Sequence, residues 1–202
     1  MSSFPEQSHC PLCAGPDTSW VFHPGMLFDS WEKWWTPDGH RASRHEGLDL
    51  CLVQGSDRET RPLQPGTLVT AAAKGRVVAT IPDFLGHTVI CSHGPTSLSC
   101  AEWISLIAHI QLDSRISPGL SVQVNDPLGW SKAFPKPRGM LCHVHLSFGW
   151  LQTPGDYALT WPDLVQRKRV SFLDPLTLLS IPALLWTGNH TWFPWLDGMI
   201  QE

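Results

Sequence analysis

Short apolar runs, broken again and again by glycine and proline, set the pattern of this chain. GLDLCLV (47–53) opens as an apolar/acid alternation, the period-2 signature of a strand. GTLVTAAAKGRVVATI (66–81) reads as a strand, a bend of small residues and a second strand. GHTVICSHG (86–94) is a β-branched run closed by glycine. EWISLIAHIQL (102–112) fits a helix or a strand, and its Trp, its isoleucines and its place between strands favour the strand. LSVQVNDPLGW (120–130) alternates and then turns at Asn125-Asp126-Pro127, and LCHVHLSF (141–148) is another strand. Strands of this length between Pro/Gly turns predict a mainly β domain, an antiparallel sheet curled into a sandwich or open barrel with a groove over it.

The flanks read differently. Residues 1–19 read as a loose N-terminal leader, 20–182 as the β domain with a polar, Pro-containing insertion at 151–169, and 183–202 as a Trp/Pro-rich tail wrapping over it. The chain of 202 residues is long enough for one good core. With 18 Pro and 16 Gly dispersed along it, long helices should be few.

Charge narrows the choice of partner. There are 14 Lys+Arg against 18 Asp+Glu and no basic stripe, which argues against nucleic acid. Arg167, Lys168 and Arg169 read as a solvated turn. The most apolar stretch, 176–186, is too short to span a bilayer and is broken by Pro182, so no integral membrane segment is expected. The first twenty residues lack the basic and apolar regions of a secretory signal. Eleven tryptophans fit core and interface packing better than stacking on sugars. Cys10 and Cys13 form a lone CPLC, read as free thiols or a local disulfide rather than a metal knuckle. Cys91 and Cys100 could face each other across a hairpin, and their pairing stays open.

Histidines carry the candidate chemistry. On a strand His143 and His145 share a face, their backbones roughly 6–7 Å apart. A hydrogen-bonded pair on a half-exposed sheet would explain them if they stood alone. His45 and Asp49 are four apart; on a straight strand they would lie about 13 Å apart, and a bend at Gly47 would close that gap. Two histidines and a carboxylate suit zinc and leave a fourth position for water. His109 adds an imidazole in an otherwise apolar strand, and histidine can move a proton or stabilise an oxyanion.

The ordered segments H-E-G-L-D (45–49), A-A-A-K-G-R-V-V (71–78), G-H-T-V-I-C-S-H-G (86–94), I-A-H-I (107–110) and H-V-H-L-S-F (143–148) resemble the lysostaphin-type zinc metallopeptidases of bacterial cell walls. SFLDPLTLL (171–179) resembles the D-P-x-x-x-L ending of that family. The resemblance covers roughly residues 20–150. It implies His45, Asp49 and His145 as Zn²⁺ ligands, with His109 and His143 polarising the water and stabilising the tetrahedral intermediate. It further implies an endopeptidase of the cell envelope, periplasmic or extracellular, whose partners are the stem or cross-bridge peptides of peptidoglycan. The family's Y-x-H strand reads Ile107-Ala108-His109 here, so a tyrosine hydroxyl is missing, and PTSLSCAEW (95–103) adds bulk to one wall of the groove.

The alternative is a non-catalytic zinc-binding or regulatory module of the same fold in a cell-envelope complex. A biotinyl- or lipoyl-type carrier is the weakest fit, since Lys74 lacks the hairpin-tip setting such carriers use. Glu46 should point away from the metal towards the surface, His93 reads as a turn or supporting histidine, Arg44 as solvated or near the site, and His23 and His40 as loop residues.

Overall fold

In a computed structural model the structure describes residues 8–12, 15, 17–36, 39–95, 101–134 and 140–186. The strands, in chain order, are β1 (Ser19–Phe22), β2 (Leu48–Leu50), β3 (Leu52–Gln54), β4 (Thr60–Pro62), β5 (Leu68–Thr70), β6 (Gly75–Pro82), β7 (His87–Pro95), β8 (Glu102–Leu112), β9 (Ser121–Val122), β10 (Pro127–Ser131), β11 (Val144–Leu151), β12 (Val170–Leu173) and β13 (Ala183–Leu185). Among the described residues a short α-helix, α1 (Trp161–Val165), and two 3-10 turns interrupt them. The architecture is mainly β, with large antiparallel sheets that do not close into a barrel.

The large sheet runs β12-β11-β8-β7-β6-β9, with β2 paired to β11 and with β10 paired to β5 and β8. A four-stranded sheet, β13-β1-β3-β4, stands beside it; its β1–β13 pair is parallel. β8 lies between β7 and β11 and is buried from Glu102 through Ile110. Apolar side chains on both faces explain why its sequence lacks a clean alternation. Trp103 and Ile107 pack into the larger core cluster, while Ile104 and Leu106 pack into a second cluster with Leu159, Leu164 and Val170.

Strict period-2 alternation would put Ile110 on the opposite face from Ile107, yet both belong to the larger cluster. The change of parity occurs at His109, whose φ is +66°. There β8 spends three residues, Ile107 to Ile110, against the two from Val89 to His87 on β7. This bulge turns the His109 side chain out of the alternation and towards the groove.

The segment 151–169 is a packed cover. Leu159 and Leu164 lie at 3% and 0% exposure in the second cluster, where each full burial stabilises by about 1.5–3 kcal/mol. Thr160 caps α1: its hydroxyl accepts from the Asp163 amide, and Asp163 accepts from the Thr160 amide. At the N-terminal side, Leu12 is buried in the main core, and the His9 and Thr70 amides donate to Ala72 O and Pro11 O. Cys13, Cys100 and the tail beyond residue 186 lie outside the described residues, as does most of PTSLSCAEW. Cys51, Cys91 and Cys142 are free thiols.

Candidate metal and catalytic site

Asp49 and His145 stand directly across from each other in the β2–β11 pair, and Ala108 pairs with His145 on the other side. Register alone therefore puts a carboxylate beside an imidazole. His45 arrives from the loop before β2. Its amide donates to Ser30 O, its carbonyl accepts from the Asp29 amide, and its ring Nδ1–H donates to Leu27 O at 2.9 Å. The bend at Gly47 makes this approach possible. A Cβ there would overlap the Leu146 carbonyl oxygen and Ser147 Oγ, and would lie 2.8 Å from His145 Nε2.

The result is a buried cluster in which His45 Nε2, His145 Nδ1 and Asp49 Oδ1 lie 3.0–3.2 Å apart. Because Nδ1 of His45 carries its proton to Leu27 O, Nε2 is left as an acceptor facing the carboxylate oxygen. A cation at their focus would satisfy both acceptors at once. Ser147 Oγ, 2.8 Å from His145 Nε2, can take that ring's proton and free Nδ1 for the same focus. The second Asp49 oxygen is occupied elsewhere: Trp34 Nε1–H donates to Oδ2 at 2.7 Å and Arg41 Nη2 at 3.3 Å. Burial opposes the Asp49 charge, but the adjacent His45 and His145 imidazoles outweigh it and hold the carboxyl well below its usual range. These donors fit a small divalent metal with nitrogen and oxygen preferences, zinc above all.

His143 and His109 face the same pocket, a cleft of about 140 Å³ lined also by Trp35, Glu46, Phe84 and Trp161. His143 stands one residue before β11 and lines the same pocket as His145. Its Nδ1–H donates to Leu141 O at 2.9 Å, leaving Nε2 free to accept. Burial pushes this imidazole down to about 4, so it is neutral at neutral pH. The His109 ring lies 5.1 Å from that of His143 and 5.9 Å from that of His145. Trp161 stacks over His109 at 5.9 Å with the planes 13° apart.

Several neighbours differ from the sequence reading. Glu46 is buried rather than on the surface, lines the pocket, and brings Oε1 to 3.9 Å from His145 Nε2. The bend at Gly47 that draws His45 inward carries Glu46 inward with it. Arg167 is no solvated turn residue: it donates to His45 O at 2.9 Å, pairs with Asp29 and lies over Phe28. Arg44 pairs with Asp29 at the surface, whereas Arg41 reaches the site. His93 bridges Lys74 O and Ser105 Oγ between β7 and β8, away from the pocket. Asp83, beside His109, was not anticipated, because nothing in P-D-F-L-G marks it as more than a turn residue.

No family model matches the sequence, and no curated protein matches it. Solved structures do. A zinc-containing peptidase from Vibrio cholerae superposes at a TM-score of 0.50 and 14% identity, over 77% of this chain and 40% of that one. The chain thus spans two fifths of that peptidase's length. The catalytic domain of the antimicrobial peptidase lysostaphin from Staphylococcus simulans gives 0.46 and 14%, over 75% of this chain and 86% of that one. A structure of the SpoIIQ–SpoIIIAH pore-forming complex gives 0.49 and 17%, over 88% and 93%.

Proposed function

We propose that this chain, which has the fold of the lysostaphin-type peptidases, is a zinc-dependent endopeptidase that hydrolyses peptide cross-links of peptidoglycan in the bacterial cell envelope. The observation that carries this reading is the convergence of three ligand atoms, two of them from residues that line a pocket shared with two further imidazoles. His45, Asp49 and His145 would hold the zinc. Bound there, zinc supplies Lewis acidity to a water and to a carbonyl oxygen.

The chain's own residues supply the rest. His143, neutral and with Nε2 free, is placed to accept a proton from the attacking water. His109, reaching the pocket from the bulge in β8, is placed to stabilise the developing oxyanion or return a proton to the leaving amine. Phe84, Trp35 and Trp161 wall the cleft and exclude water around an extended peptide.

The test is to incubate the zinc-loaded protein with peptidoglycan of several cross-link types and with model stem peptides, and to assay new amino termini. Release that is lost in His109→Ala and His143→Ala supports the reading. No release from any substrate counts against it. A second reading, a non-catalytic zinc module, draws on the small volume of the cleft and on Trp161 lying over His109. Hydrolysis by a Trp161→Ala variant but not by the wild type would favour a covered site.

A further inference from the structure

Asp83 bonds to His109 and takes no direct part in the proposed hydrolysis. It sits in the turn between β6 and β7, its side chain at 0% exposure, and reaches across to β8. Oδ1 lies 3.1 Å from His109 Nδ1, and Oδ2 accepts from the His109 amide at 3.0 Å. The same two oxygens accept from the amides of Leu85 and Gly86, at 2.8 and 2.6 Å, and from Thr88 Oγ1 at 2.9 Å. The carboxylate is thus held by its own turn while it holds one residue of another strand by both backbone and ring.

The residue so held is the one with the left-handed backbone, φ +66°, in the middle of a strand. A non-glycine residue in that region is strained and persists only where its surroundings impose it. A turn whose only task was to close β6 onto β7 would need the Leu85 and Gly86 contacts alone. The two bonds to His109 serve something else.

We propose that Asp83 is a positioning residue for His109: it fixes the proton on Nδ1, aims Nε2 into the cleft and offsets positive charge when Nε2 takes up a proton. The inference rests on the proposed hydrolase reading for its purpose, but not for its first test. An imidazole free in water favours the proton on Nε2; a carboxylate at Nδ1 reverses that preference. A hydrogen bond to a charged acceptor is also the strong kind, which is why one carboxylate can set both tautomer and ring angle.

The experiment is nitrogen-15 NMR of the imidazole rings at pH 8 in the zinc-loaded protein, with the His109 signals assigned by their loss in His109→Gln. Wild type should show His109 protonated on Nδ1. Asp83→Ala should shift it towards Nε2. Asp83→Asn, which keeps one oxygen for the turn amides, is the second variant, and it decides the matter if the alanine variant does not fold. Kinetically, both variants should lose about 10²-fold in kcat, keep KM within about threefold and retain the metal content of wild type. A His109 tautomer that is Nε2-protonated in wild type, or unchanged in both variants, overturns the inference whatever the activity. If the tautomer behaves as expected while wild type cuts nothing, the positioning role stands and the failure falls on the proposed hydrolysis alone.

Discussion

At the scale of the residue, Asp49 shows how a site is divided between two oxygens. Oδ2 is taken by Trp34 and Arg41, which leaves Oδ1 to face the histidines. Asp49→Ala and His45→Ala should therefore lose zinc outright, read as metal per chain after dialysis. His109→Ala should keep it and lose about 10²-fold or more in rate. Trp34→Phe removes one donor and no ligand, so zinc affinity should fall about 10- to 100-fold, measurable by competition with a chelator. Gly47→Ala presses a methyl against the Leu146 carbonyl and the His145 ring. It should cost about 1–3 kcal/mol of stability in urea unfolding.

At the scale of the element, the β7–β8 pair carries a half-buried histidine with no part in the cleft. His93 donates from Nδ1 to Lys74 O and accepts at Nε2 from Ser105, an arrangement only the neutral ring can make. Burial holds its pKa below the ordinary value, with the Lys74 carbonyl opposing. The unfolded chain then binds the extra proton first as pH falls below about 6.5. Stability from this group is present above that pH and is lost below it, until the folded ring is protonated too. The melting temperature of wild type should drop more between pH 7 and pH 5 than that of His93→Gln.

Elements were also what the sequence revealed best. Each apolar run between 47 and 148 lies on a strand or strand pair, because β-branched residues bounded by glycine and proline are a local signal. The approach of His45 to Asp49 is legible in their spacing and the glycine bend, whereas His145 as their partner rests on the family resemblance. Asp83, Trp34 and Arg41 are not legible in this way, since each acts across 8 to 26 residues of chain, where no periodicity links donor to acceptor. Glu46 turns inward at the same Gly47 bend that brings His45 to the site, a side that spacing alone does not give. The parallel β1–β13 pair joins residues more than 160 positions apart and leaves no local trace.

At the scale of the whole molecule, the ligands tie the β2 end of the chain to β11. Added zinc should raise the melting temperature of wild type, by the equivalent of about 2.7 kcal/mol at a hundredfold excess over Kd, and leave Asp49→Ala unmoved. Calorimetry with and without zinc checks both. The two histidines of the cluster are 100 residues apart in sequence. So long a loop is costly to close, which predicts that this cluster forms late in folding. A contact absent from the transition state changes the rate of leaving the native state and not the rate of reaching it. Zinc should then act on this protein as a latch rather than a nucleus: refolding from denaturant proceeds at the same speed with or without the ion, while unfolding slows in its presence.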